Sequence, residues 1–413
     1  MSFRIVALIT LLALAAAPTV AQEPEIESWP LPGTGAGSLA TNPADGSIWV
    51  FFHQTKNLVS LDSADGSVML DIPLTLSPTS MAFSPDGRCV FVVGEPLDDQ
   101  IIDRGVVVAM DASNGQILAE LTLEGACNAV YVAPDRMIYV ATGMQYAYQG
   151  TVYKLEYGLG ASDAENESQS EPGEPVLKIV SEAECGKIPW AITEYEGRLY
   201  VTDLELQWTE QPDGSMGPPY GAWVWVYDAG TLDFVDREWV GINPNRLRNT
   251  TAGVLVACSG SKQSEGSGAE PTLSLIRGPG EVAAIRIGSA GASDLASAPD
   301  GSWAVVTLAD WAPPAAESRI ADLRQLAPER FPEQRRWAYT GDVALITFED
   351  GEAAARRIPV LTTGYLRAVA ISADGGRLYA IQSEPERIIA IPVSMLESSE
   401  GEPLIEGDEP SMQ

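Results

Sequence analysis

This sequence predicts an all-β fold, a seven-bladed β-propeller of four-stranded antiparallel blades. Three observations lead there. A short apolar strand, a tight polar turn and a second apolar strand recur along the chain. A second hairpin follows most of these units, so four strands repeat together. The period is just over 40 residues, with Asp45 and Asp86 41 positions apart. A four-stranded unit at that spacing is a propeller blade, because each sheet can bury its faces only against the next.

The first hairpins run in order from LATNPADGSIWVFF through MAFSPDGRCVFVVG, AVYVAPDRMIYVAT and AITEYEGRLYVTD. LRNTTAGVLVACS is degenerate, and LASAPDGSWAVVTL and VAISADGGRLYAIQS complete seven. Asp-Gly supplies the turn because both residues tolerate positive φ. Second hairpins include LVSLDSADGSVMLDI, GVVVAMDASNGQILAEL, AWVWVYDAGTLDFVD and DVALITFEDGEAAARRI. The seventh unit stops after RIIAIPVSMLE and lacks a fourth strand. IESWPLPG, near the start, resembles the fourth strands MLDIPLTL and ARRIPVLT, each with a Pro (Pro30, Pro73, Pro359) between apolar residues. A missing N–H is tolerated on an outer edge, so the N-terminal strand is expected to close the ring.

The segments AFSPDGRCVFVVG, GVVVAMDASNGQILAEL and AISADGGRLYAIQSEPERIIAI resemble the YVTN-type repeat of seven-bladed propellers, within the wider WD-repeat-like superfamily. The resemblance covers nearly all of the chain after its first segment. It implies fold and not activity, since such relatives include binding propellers, lactonase-like enzymes and dehydrogenase subunits. VVAMDASNGQILAEL is also similar to quinone-cofactor propellers, whose repeats often end Gly-Lys-x-x-Trp. Here Gln116 follows Gly115 and the Trp is missing, which counts against that cofactor.

Residues 1–21 read as a signal peptide, with Arg4, an apolar run and the small-residue site Thr19-Val20-Ala21. Residues 22–397 are assigned to the propeller, with insertions at 159–175 and 311–341, and 398–413 to an acidic disordered tail. A periplasmic or secreted protein is expected, without membrane insertion after cleavage. The net charge is −32, with five Lys against twenty Arg. Such a surface repels nucleic acid and anionic membranes. Export permits a disulfide, and Cys127 with Cys185 is the expected pair, both near the top of one blade. Cys89 and Cys258 fall in apolar strand patterns and read as buried thiols.

The face carrying the loops between second and third strands and the links between blades is the upper face. As in other propellers, it is the expected ligand side. Its blade-six insertion gathers Trp311, Arg319, Arg324, Arg330, Phe331, Arg335, Arg336, Trp337 and Tyr339. Prolines 313, 314 and 328 suggest a helix between them. An Arg–aromatic cluster suits an anionic or sugar-like ligand or a partner protein, and equally suits internal pairing with neighbouring acids. First strands line the axial channel, so Thr79, Asn128, Trp190, Arg246, Asp294 and Arg367 are the funnel candidates, each to within one position.

Catalytic equipment is sparse. His53 is the only histidine, and no G-x-S-x-G elbow, C-x-x-C pair, phosphate loop or D-x-D-x-D-G calcium loop occurs. No cofactor is expected, although so acidic a chain is compatible with a calcium ion held by carbonyls and scattered carboxylates. The leading expectation is a non-catalytic exported binding or scaffold propeller that contacts a protein, small-molecule or saccharide partner through its loop face. The alternatives are a lactonase-like hydrolase using Asp294, Arg367 and Arg246 with a metal, and a propeller subunit of a periplasmic redox complex.

Overall fold

The computed structural model describes residues 26–97, 104–143, 149–159, 175–204, 209–210, 216–217, 223–241, 243–259, 272–287, 291–312, 336–349, 351–360, 365–383, 385–399 and 401–404. The first strand, β1 (Glu27–Pro30), belongs to the last blade. Blade 1 is β2 (Ala36–Thr41), β3 (Ile48–Phe52), β4 (Asn57–Leu61) and β5 (Val68–Pro73). Blade 2 is β6 (Leu76–Phe83), β7 (Cys89–Pro96), β8 (Arg104–Asp111) and β9 (Ile117–Glu124). Blade 3 is β10 (Cys127–Val132), β11 (Ile138–Thr142), β12 (Gly150–Leu159) and β13 (Pro175–Cys185).

Blade 4 is β14 (Pro189–Tyr195), β15 (Arg198–Asp203), β18 (Trp223–Asp228) and β19 (Phe234–Trp239). Its insertion contains a small hairpin of β16 (Thr209–Glu210) and β17 (Met216–Gly217). Blade 5 is β20 (Pro244–Thr250), β21 (Gly253–Cys258), β22 (Thr272–Gly278) and β23 (Glu281–Arg286). Blade 6 is β24 (Gly291–Ser297), β25 (Trp303–Ala312), β26 (Arg336–Glu349) and β27 (Glu352–Pro359). Blade 7 is β28 (Tyr365–Ile371), β29 (Arg377–Ser383) and β30 (Arg387–Pro392), with β1 outermost. The innermost strands touch in the cyclic order β2, β6, β10, β14, β20, β24, β28 and back to β2.

Turn chemistry explains the first hairpins. Asp45, Asp86, Asp300 and Asp374 each accept a backbone N–H two residues on, a tight Asx turn. The following residue enters the left-handed region, as Gly87 does at φ 66°. In blade 3 the residue after the aspartate is Arg136, and it adopts φ 72° against its own side chain.

Strand alternation explains the core. Val90 and Val92 pack toward blade 1 while Phe91 and Val93 pack toward blade 3. The buried apolar residues thus fall into seven clusters, one in each gap between blades. The gap between blades 7 and 1 contains Trp29 from β1 beside Tyr379 of β29, ring centroids 6.2 Å apart. Ser28 pairs with Ile389 and Trp29 with Ile388 in the β1–β30 register.

Two sequence expectations change. The 398–413 segment, expected to be a disordered tail, is ordered in its described part: after β30 and a short helix, α1 (Val393–Ser398), β31 (Glu402–Leu404) adds a fifth strand to blade 6 beside β27. Arg356 donates to the carbonyls of Leu396, Glu397 and Ser399, satisfying the end of that helix. Cys127 and Cys185 are not joined; all four cysteines are free thiols. The two begin β10 and end β13, the first and fourth strands of one sheet. Three inter-strand steps separate them by roughly 14 Å, too far for a bridge. They also serve opposite gaps, Cys127 toward blade 2 and Cys185 toward blade 4.

Candidate functional site

Every innermost strand is bulged at the same level near its upper end. The extra residue is Gly37 in β2, Thr79 in β6, Asn128 in β10, Asn245 in β20, Ser293 in β24 and Arg367 in β28. In β14 the irregularity spans Trp190 and Ala191. A bulge bends the strand and redirects one side chain. Seven of them make a ring around the axis, on the face where the inserted loops begin. Thr79, Asn128, Trp190 and Arg367 of the funnel candidates occupy bulges, whereas Arg246 and Asp294 stand one position beyond theirs.

Most of these side chains bind the next blade. Thr79 Oγ1 donates to the Cys127 carbonyl at 2.5 Å, and Asn128 Nδ2 to the Pro189 carbonyl at 2.8 Å. Asn245 Nδ2 donates to the Ala292 carbonyl at 3.2 Å. Each acceptor is the residue just before the next blade's bulge. Arg246 Nε donates to Asp294 Oδ1 at 2.7 Å, and Asp294 Oδ2 accepts the Val369 N–H at 2.9 Å. Asp294 is therefore shared by blades 5, 6 and 7, and it is only 2% exposed.

Blades 7 and 1 are linked through Glu386, which sequence reasoning did not single out. It pairs with Arg367 and accepts the N–H groups of Gly35 at 3.1 Å and Ala36 at 2.9 Å. In blade 1 the bulge residue is a glycine, and a Cβ there would collide with Phe51 and His53. His53 fills the position instead, edge-on to Phe51 with centroids 5.2 Å apart. Burial lowers its pKa from 6.5, Lys56 and Arg367 lower it further, and a hydrogen bond to the Pro78 carbonyl opposes them. Lys56 Nζ in turn donates to Ser77 Oγ at 2.8 Å. Between blades 4 and 5 the tie lies deeper, where Thr193 Oγ1 donates to Asn249 Oδ1 at 3.0 Å.

Trp190 departs from this pattern. Its indole is 39% exposed at the blade-4 bulge, among the large apolar residues that face solvent. Above the ring, the β25–β26 hairpin continues four pairs past the Thr307–Val343 pair, to Ala312–Arg336, and places Trp311 directly across from Trp337. Arg319, Arg324, Arg330, Phe331 and Arg335, the suggested helix and the 160–174 loop lie outside the described residues.

Chemically reactive arrangements are few. Among the described residues no three His, Cys, Asp or Glu side chains stand together as a metal site. Burial raises the Cys127, Cys185 and Cys258 thiols to about 12. Cys89 Sγ sits 3.8 Å from Tyr157 Oη, and burial raises its pKa too. Such thiols are inert packing groups at neutral pH. Among the described residues no helix is long and apolar enough to cross a membrane.

No family model matches the chain, and no curated protein matches it. Solved structures do. Hydrazine synthase from Kuenenia stuttgartiensis aligns at 16% identity with a TM-score of 0.52, over 88% of this chain and 97% of that one. The Cps50 (Swd1) β-propeller domain from Myceliophteria thermophila aligns at 11% identity and TM-score 0.54, over 88% and 97%. A chain of a mitotic checkpoint complex aligns at 12% identity and TM-score 0.54, over 95% and 99%. Identities this low carry architecture alone. By fold, the chain stands with the seven-bladed β-propellers.

Proposed function

We propose that this chain is an exported, non-catalytic binding propeller whose upper face contacts a protein or saccharide partner. The observation that carries the reading is the use made of the bulge ring. Every other blade has a polar side chain in or beside its bulge engaged with a neighbour, and blade 4 alone offers an exposed indole there. An exposed tryptophan on the rim of the bulge ring is a favourable contact for an apolar or sugar surface. The insertions between second and third strands of blades 4, 5 and 6 leave from the same face, and that of blade 3, between β12 and β13, leaves from the opposite one. The YVTN-type repeat and the N-terminal export signal read from the sequence fit this role.

The groups considered for hydrolysis are occupied. Both oxygens of Asp294 are hydrogen-bonded, and Arg367 is paired with Glu386. No cofactor enters the proposal. A photo-crosslinking residue at position 190, compared with one at the exposed outer-edge position 68, tests it in the producing cell. A discrete adduct from position 190 alone is expected. Adducts from position 68 alone, or turnover of a lactone by the purified protein, would refute it.

A further inference from the structure

Among the described residues of the innermost strands, Arg248 is a cation that the blade-to-blade contacts do not use. β20 presents Arg246 and Arg248 two residues apart, so both side chains leave the strand on one face. Arg246 is paired with Asp294. Arg248 donates Nη1 to its neighbour's carbonyl, that of Leu247, at 2.7 Å. No carboxylate among the described residues forms an ion pair with it. Asp294 is the acid whose charge reaches Arg248, but its Oδ1 is taken by Arg246 and its Oδ2 by the Val369 N–H. Arg248 is half-buried on the innermost strand of blade 5.

A half-buried guanidinium that shares its one nearby acid with a second arginine is unfavourable. It cannot lose its proton at neutral pH, and no described carboxylate forms an ion pair with it, which leaves a charge that an anion from solution can balance. We propose that Arg248, with Arg246 beside it, binds a small oxyanion inside the channel: a carboxylate or a tetrahedral inorganic anion. An oxyanion fits better than a halide because the planar guanidinium offers parallel N–H groups to two oxygens. The same strand carries a second unspent group, Asn245 Oδ1, buried without a partner. The overall charge of −32 opposes anion entry. Surface acids beyond the Debye length, about 8 Å at physiological salt, are largely screened, so the adjacent arginines dominate locally.

The test is thermal unfolding at fixed ionic strength with sulfate or formate replacing chloride. For the wild type the melting temperature is expected to climb with the logarithm of oxyanion concentration once binding saturates. Arg248→Met should abolish the climb and, in chloride alone, melt no lower than the wild type. Arg88→Met, at an exposed turn, should leave the climb intact. A response to sulfate alone identifies a tetrahedral anion, and one to formate alone a carboxylate. No response, or the same response in wild type and Arg248→Met, overturns the proposal. Should Arg248→Met fail to fold, crystals of the wild type grown with selenate decide: an anomalous peak at Arg248 supports the site, and a channel containing only water refutes it.

Discussion

Arg246 and Asp294 form an ion pair at 2.7 Å across the gap between blades 5 and 6, and the second oxygen of Asp294 accepts the Val369 N–H of blade 7. One carboxylate thus fixes the spacing of three consecutive sheets. The side chain of Asp294 is 4% exposed and that of Arg246 is 29% exposed.

Removing the Asp294 charge leaves Arg246 and Arg248, side by side on β20, without that acid. Asp294→Asn is expected to lose about 3 kcal/mol of stability, within the range for breaking a buried pair. Urea unfolding followed by tryptophan fluorescence measures it. Double substitution of Arg246→Met and Asp294→Leu should recover part of the loss, because the orphaned charge disappears with its partner.

Arg136 holds φ 72° in the blade-3 turn, where the corresponding residue of blade 2 is Gly87. Its ion pair with Asp86, at 3.2 Å, joins a 71%-exposed side chain to a 35%-exposed one and is worth little. Arg136→Gly is therefore expected to stabilise the protein, by about 0.5–1 kcal/mol after the entropy of glycine is deducted. A lower urea midpoint than wild type would contradict this.

The thiols should be silent in the native state. With Cys127, Cys185 and Cys258 raised to about 12, native protein at pH 8 should leave these three unmodified by a thiol reagent. Four equivalents should react in denaturant. Reductant should leave the melting temperature unchanged, since no disulfide stands between Cys127 and Cys185.

His53 makes stability fall as pH drops. Its folded pKa lies below 6.5, so in the window between that value and 6.5 the unfolded chain binds more protons. The contribution is complete above 6.5 and declines through that window. Because the sequence has one histidine, a single imidazole resonance reports the midpoint by NMR. A midpoint above 6.5 would be the opposite of what the packing against Phe51 and the nearby Lys56 and Arg367 dictate. His53→Gln should remove this slope from the stability–pH curve.

Architecture was legible because turn chemistry is local. Asp-Gly at Asp45, Asp86, Asp300 and Asp374 marks a hairpin wherever it occurs, and the strand alternation does the rest. The bulge ring was not legible in the same way. A bulged residue has no composition of its own, so strand alignment placed Arg246 and Asp294 where the structure puts Asn245 and Ser293. Glu386 was missed for a related reason: its role depends on the N–H groups of Gly35 and Ala36, some 350 positions earlier in the chain. The disulfide expectation failed because two cysteines at the same height in a sheet can still be three strands apart.

β1 has a consequence for biogenesis. The seventh sheet draws one strand from the beginning of the chain and three from near its end, so six sheets can assemble while the last is still being made. Until β28, β29 and β30 arrive, Trp29 has no Tyr379 to pack against and the edge of blade 1 stands open. Completion thereby waits for β28, β29 and β30, and a nascent chain stalled before residue 365 should remain an unsealed arc that proteases can enter.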